Sequence, residues 1–297
     1  MDSTLAGKTG INERKMQIFD KIHDMQDVLH ALEKKGKTIG FVPTMGALHA
    51  GHLSLVQKAA DENDIVVVSI FVNPTQFNNP DDLKNYPHTP EADEIMLKNI
   101  HVDFLFKPNV NEIYHGNESI NEIPNVGRLG ELMEGVHRRG HFSGVVQIVK
   151  RLFEIVRPTR AYFGEKDFQQ LAIIRNMVNK IAMPVNIVPC QTIREENGLA
   201  MSSRNMRLTD DEKKAASEIF RALIYVKENT GKTNPQILIQ EAIQKINSNA
   251  GLKVEYIEIA DEENLEPVSD WKNHKSVRVF AAVFCNSIRL IDNIKLY

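Results

Sequence analysis

Two imidazoles stand three residues apart in the stretch Pro43-Thr44-Met45-Gly46-Ala47-Leu48-His49-Ala50-Gly51-His52. The stretch follows an apolar run and opens a helical pattern, so His49 and His52 fall near one face of a first helical turn. The free amides and positive end of a helix start attract phosphate, and Gly51 lets a ligand approach the backbone. An imidazole at that place can donate to phosphoryl oxygens as charge develops on them. A single histidine there reads as a cap or a surface side chain. The H-x-G-H pair, after a strand and at a helix start, points instead to nucleotide chemistry.

Three further clusters carry usable groups. Gly164-Glu165-Lys166-Asp167 combines a turn, a lysine and a following helix, which suits a phosphate held by a point charge. Read alone, it is an ordinary polar turn. Met201-Ser202-Ser203-Arg204-Asn205 offers two hydroxyls and a guanidinium to a polyphosphate, at a junction whose closure would cover a substrate. Read alone, it is a polar linker. Phe71-Val72-Asn73-Pro74-Thr75-Gln76-Phe77 ends a strand beside the histidine loop. Its Asn73 and Gln76 amides each donate and accept, which suits a small polar substrate, although Asn-Pro is also a common turn signal.

H-x-G-H resembles the nucleotide-binding signature of the adenylyl-transferring superfamily, which includes class I aminoacyl-tRNA synthetases and small nucleotidylyltransferases. Met201-Ser202-Ser203-Arg204 resembles that superfamily's K-M-S-K-S element without its lysines, leaving Arg204 and Lys166 to supply positive charge. Five ordered motifs are more specific. P-T-M-G-A-L-H-x-G-H, F-V-N-P-T-Q-F, Gly140-His141-Phe142-Ser143-Gly144-Val145, G-E-K-D-F-Q-Q-L and M-S-S-R-N together resemble the pantothenate synthetases, or pantoate–β-alanine ligases. The resemblance runs from Met16 to the C-terminus and is thin after Arg207.

That resemblance implies a reaction in which ATP, pantoate and β-alanine give pantothenate, AMP and pyrophosphate through a pantoyl adenylate. It implies catalytic roles for His49, His52 and Lys166, with His52 at the proton-donor position. It assigns ATP contacts to Met45, Gly46, Ala47, Leu48, His49, Ala50, Gly51 and His52, and to Gly164, Glu165, Lys166 and Asp167. Ile193 and Met201, Ser202, Ser203 and Arg204 complete the expected ATP site. Gln76 and Gln170, with Asn73 beside them, are the expected contacts to pantoate and β-alanine. Mg2+ would come with ATP and be held mainly by the phosphates, with Asp93 as a candidate carboxylate ligand. A cytoplasmic homodimer is the expected form. Two positions depart from the family pattern, Arg139 where a proline is common and His88 where an arginine is common. Two other readings remain open at this point, a nucleotidylyltransferase acting on a phosphate ester and a non-catalytic nucleotide- or RNA-binding module.

The elements that must position these groups follow from periodicity. Residues 38–42 read as a strand broken by Pro43, residues 51–63 as a helix and residues 65–72 as a strand buried on both faces. That βαβ unit requires a parallel pair with a right-handed crossover. The rhythm continues with a helix at 91–100, a strand at 102–106 and a strongly apolar helix at 145–156. A strand at 160–163, a helix at 168–181 and a strand at 185–188 follow. The expected fold is α/β, a Rossmann-like doubly wound parallel sheet over residues 16–200. Residues 201–297 are expected to form a smaller α+β domain covering the active site. There, Thr209 to Glu212 form a capping box, Asn234-Pro235 starts a second helix, and strands lie at 254–259 and 277–284.

Composition narrows the function classes. The 297 residues are 42% hydrophobic and 25% charged, ordinary for a globular protein with a real core. With 36 Lys and Arg against 39 Asp and Glu, the net charge is −3. A near-neutral chain has no basic field for bulk binding to nucleic acid or acidic membrane. The longest apolar run, about eight residues, is too short to span a bilayer. The first 15 residues are polar, lack the apolar core of a secretory signal, and read as a disordered leader. Cys190 and Cys285 are far apart, with no zinc-like spacing, and read as buried free thiols.

Overall fold

The computed structural model describes residues 16–100, 102–114 and 123–297, so the 15-residue leader lies outside the described residues. Six parallel strands form one sheet: β1 (Gln17–Phe19), β2 (Ile39–Thr44), β3 (Ile65–Ile70), β4 (Phe104–Phe106), β5 (Arg160–Gly164) and β6 (Asn186–Cys190). Their spatial order is β1-β4-β3-β2-β5-β6. The helices between them are α1 (Ile22–Glu33), α2 (Ala50–Glu62), α3 (Pro80–Lys84), α4 (Pro90–Lys98), α5 (Val110–Tyr114), α6 (Glu134–His137), α7 (His141–Val156) and α8 (Phe168–Lys180). This is the expected Rossmann-like α/β arrangement.

Successive β3 valines serve opposite faces, as a period of two requires. Val67 joins Phe41, Phe153 and Phe163 in the core under α7 and α8. Val66 and Val68 join Val42, Leu55, Val56 and Ala59 under α2. The sheet is thus buried on both sides, and its ligand-accessible edge lies at the strand ends.

The chain reverses its direction of spread between β2 and β5, which makes that junction the topological switch point. Here β2 pairs with β3 through Thr44 and Ile70, but with β5 only at Gly40 and Phe41. The two strands therefore part toward their C-terminal ends. Pro43 does not break β2, contrary to the expected boundary. It lies where no β5 partner remains, so its missing N–H costs nothing on that side. Pro189 is likewise accommodated within β6, an edge strand.

The later elements are α9 (Asp210–Glu228), α10 (Pro235–Asn247) and a three-stranded antiparallel sheet of β7 (Leu252–Asp261), β8 (Val277–Cys285) and β9 (Ile288–Lys295). Thr209 and Glu212 form the expected capping box, and the Asn234 side chain caps α10. Residues such as Leu223, Leu238, Ile259 and Val279 form a core of their own. Phe280 of β8 nevertheless packs against Phe168 of α8 at 6.0 Å, so this sheet is joined to the first core. β1, α1 and β9 were not anticipated by periodicity. β1 has only three residues, and β9 buries Asp292 and Asn293 among its apolar positions. Both cysteines are buried and free.

Candidate active site

A cleft of about 220 Å3 opens where β2 and β5 part. His49, His52, Gln76, Lys166, Gln170 and Arg204 all line it, although they come from separate stretches of chain. It adjoins a second cavity of about 440 Å3 through Lys166, Asp167, Ser202 and Arg204.

His49 is the N-cap of α2, its Nδ1 accepting the Gly51 N–H at 3.1 Å. That bond fixes the tautomer. With Nδ1 accepting, the proton of the neutral ring sits on Nε2, which leaves a donor for a ligand. A Cβ on residue 51 would lie 2.8 Å from the His49 ring, so any larger residue would push the capping ring aside. The His49 and His52 ring centroids are 4.0 Å apart. Burial, with Lys166 nearby, lowers His49 to about 4. Burial, with His49 and Lys166 nearby, lowers His52 to about 3. Both are therefore neutral near pH 7 in the ligand-free protein. Nδ1 of His52 is shielded from water and has no hydrogen-bond partner among the described residues.

The loop before α2 is held in shape by other elements. Gly46 and Ala47 both adopt left-handed backbone angles, φ 81° and 50°. Asp93 of α4 is 1% exposed and accepts from Ala47 N at 2.9 Å, Leu48 N at 2.8 Å and Thr89 Oγ1 at 3.0 Å. Ser203 Oγ donates to the Ala47 carbonyl at 3.0 Å. Both oxygens of Asp93, the candidate metal ligand of the sequence, thus hold the loop. Ser203 lines the cleft with its hydroxyl proton given to that carbonyl.

Asn73 lines the cleft beside Gln76. It is 1% exposed, and its amide donates to the Gly144 carbonyl at 3.1 Å and to Gln76 Oε1 at 3.4 Å. Its oxygen accepts from Tyr114 and Thr75. It braces the turn that carries Gln76. Gln76 keeps more freedom: its Nε2 has only the weak acceptor Met45 Sδ, at 2.9 Å. Gly144 of α7 packs so tightly on this turn that a Cβ would sit 2.5 Å from the Thr75 carbonyl oxygen.

The remaining expected residues divide cleanly. Met45, Gly51, Gly164, Lys166, Asp167, Ile193, Met201, Ser202 and Arg204 line the cleft with the histidines and glutamines. Met201 is brought beside Ile193 by a bond from its N–H to the Ile193 carbonyl at 3.0 Å. Gly46, Ala47, Leu48 and Ala50 shape the loop without lining the cleft. Glu165 turns away, pairing with Arg278 at 3.3 Å. Lys166 Nζ is 3.8 Å from Asp167, and Arg204 meets Asp82 of α3 at 2.7 Å. Arg139 and His88, the two departures from the family pattern, are exposed and outside the cleft. Sequence reading gave no role to Asp82, Arg138 or His141. His141 repeats the signal of the first pair, a histidine at a helix start.

Among the described residues, no group of three His, Cys, Asp or Glu is arranged to hold a metal ion. The donor set offers cations and amides to an anionic ligand, and no carboxylate cage to a divalent cation. No helix among the described residues is long and apolar enough to cross a membrane.

Comparison with known proteins gives a consistent result. The family model for pantoate-beta-alanine ligase matches residues 17–295. A pantothenate synthetase from Flavobacterium psychrophilum is 49% identical over 282 residues, covering 95% of this chain and 100% of the relative. One from Porphyromonas gingivalis is 45% identical over 280 residues, covering 94% and 99%. The crystal structure of pantothenate synthetase from Thermus thermophilus superposes with a TM-score of 0.86 at 39% identity, covering 95% of this chain and 100% of that one. A Francisella tularensis pantoate-beta-alanine ligase, complexed with beta-gamma ATP and beta-alanine, gives 0.79 at 38% identity, covering 95% and 98%.

Proposed function

The chain belongs to the pantoate-beta-alanine ligase family, and from that premise we propose how its cleft joins pantoate to β-alanine at the expense of ATP. The enzyme makes pantothenate, the precursor of coenzyme A, and releases AMP and pyrophosphate. A carboxylate is a poor acyl donor to an amine at neutral pH, so adenylation must come first. A pantoate carboxylate oxygen attacks the α-phosphorus, the bond to pyrophosphate breaks, and pantoyl adenylate forms. The β-alanine amine then attacks the acyl carbon, AMP leaves with the bonding electron pair, and the amine proton passes to solvent.

The protein's part is positioning and charge stabilisation. His49 donates from Nε2 to the phosphates, His52 donates beside it, and Lys166 and Arg204 meet developing negative charge. Because His52 is neutral in the empty protein, it acts as a neutral donor unless the arriving triphosphate raises its basicity. Gln76 and Gln170 orient pantoate, with Gln76 also close to the amine substrate. Met45, Gly51, Gly164, Asp167, Ile193, Met201 and Ser202 form the walls of the ATP seat. Magnesium would come with ATP and be held mainly by its phosphates, neutralising part of their charge. The enzyme works as a cytoplasmic homodimer. Sedimentation showing only monomer at micromolar protein would remove the dimer from this account.

The reading is carried by one observation, the convergence of both histidines, Lys166 and both glutamines on a single switch-point cleft. ATP–pyrophosphate exchange with pantoate present and β-alanine absent tests it. Exchange that requires pantoate is the expected result. No exchange, in folded protein that binds ATP, would overturn the adenylate route and direct the search to phosphate-ester acceptors.

A further inference from the structure

We propose that His141 is a positioning residue that fixes the Gln76 turn against the first turn of α7, and so sets the pantoate subsite. The inference rests on the reading of Gln76 as a substrate contact.

His141 opens α7 and is 6% exposed. Its Nδ1 lies 2.8 Å from the Gln76 backbone carbonyl, and its other nitrogen lies 3.1 Å from Arg138 Nη1. These two partners have opposite and unchangeable polarity. A carbonyl only accepts and a guanidinium only donates. The ring must therefore be neutral, with its proton on Nδ1 and its Nε2 lone pair facing Arg138. An imidazolium would set a proton against a guanidinium, and the other tautomer would leave both contacts repulsive. Burial and Arg138 push protonation of His141 down to about 4, against the opposing hydrogen bond to the Gln76 carbonyl and the charges of Glu134 and Asp167.

The hold on Gln76 extends beyond one bond. Gly144, one turn further along α7, packs its backbone against the Thr75–Gln76 peptide. In the other direction, Arg138 lies 3.7 Å from Glu134. Glu134 in turn takes two bonds from Arg289 of β9, at 2.8 and 2.7 Å, and one from Tyr256 of β7 at 2.8 Å. An unbroken polar chain thus runs from the antiparallel sheet to the backbone of Gln76. Its last link is an imidazole with one permitted protonation state. Gln76 carries few strong side-chain bonds of its own, so its place in the cleft depends on how its backbone is held.

Two measurements on the full-length enzyme test this. Ring-nitrogen NMR is expected to show His141 as the neutral Nδ1–H tautomer at pH 7. The Nε2–H tautomer, or an imidazolium, would overturn the inference. In steady-state kinetics, His141→Phe and His141→Gln are expected to raise the pantoate KM by about tenfold or more, with the ATP KM nearly unchanged. His141→Asn places an amide donor where Nδ1 was and is expected to restore most of the loss. His141→Gln serves in place of the Phe variant if that protein does not fold. A pantoate KM raised by Gln76→Ala but not by His141→Phe or His141→Gln would overturn this inference alone. A pantoate KM unmoved by Gln76→Ala would overturn the substrate role of Gln76 and this inference with it. Parallel loss of ATP and pantoate affinity in the His141 variants, without rescue by Asn, would reduce His141 to general packing.

Discussion

At the scale of single residues, the two histidines carry the sharpest consequence. His49 caps α2 through Nδ1, so any hydrogen bond it gives a ligand must come from Nε2. His52 has a shielded Nδ1 with no partner among the described residues. His52→Ala is expected to lower kcat by about 100- to 1,000-fold, the loss typical of one transition-state donor, with a modest change in the ATP KM. Pre-steady-state measurement of adenylate formation checks it, and a loss of only a few-fold would remove His52 from the transition state. The H-x-G-H pair was readable because identical functional groups at a fixed short spacing are a local signal. His141 was quoted within a motif but given no task, because its decisive partner is 65 residues away. The same holds for Asp93. The sequence offered its carboxylate to a metal, and the fold adds its contacts to loop amides 45 and 46 residues distant.

At the scale of elements, α4 holds the nucleotide loop and α7 holds the Gln76 turn, so each half of the site has its own clamp. Asp93→Asn would exchange one acceptor oxygen for a donor facing a backbone N–H. The buried charge-assisted bonds at stake are worth about 1.5–3 kcal/mol. The ATP KM is therefore expected to rise roughly tenfold or more, while the magnesium concentration for half-activation stays unchanged. Titrations of ATP and of magnesium separate the two. A shift in the magnesium requirement alone would place Asp93 at the metal instead. The βαβ elements were readable because β3 is continuously apolar and α2 shows a clear face. Strand order was not, because pairing depends on crossovers that periodicity does not encode. Pro43 misled for a physical reason. A proline ends a strand flanked on both sides, yet here β5 has already diverged.

At the scale of the whole molecule, burial of neutral histidines links function to stability. His49, His52 and His141 are lowered to about 4, 3 and 4 from an ordinary value of 6.5. Above pH 6.5 neither the folded nor the unfolded state gains a proton at these sites. Between 6.5 and 4 the unfolded chain takes up protons that the folded protein refuses, so stability falls as pH falls. Each fully shielded site contributes at most about 1.4 kcal/mol per pH unit in that window. The Glu134 carboxyl, held low by Arg289 against the cost of burial, adds its loss only below its ordinary value of 4.5. Urea unfolding midpoints are expected to be flat from pH 8 to 7 and to fall steadily from 6.5 to 4.5. A flat midpoint across the lower range would show that these rings titrate normally. The antiparallel sheet was only half readable, since β9 hides Asp292 and Asn293 in its interior. Arg194 satisfies that buried aspartate at 2.6 Å, a pairing across 98 residues.

The contact between Arg204 and Asp82 gives the empty enzyme a built-in competitor. If Arg204 grips the triphosphate as proposed, the nucleotide must evict a carboxylate that is tethered to the same chain and never diffuses away. Capture of ATP would be weakened by that contest. The benefit would come after turnover, when the displaced carboxylate is still at hand to reclaim the guanidinium as pyrophosphate loosens. Asp82 would then make the first step less tight and the last step less slow.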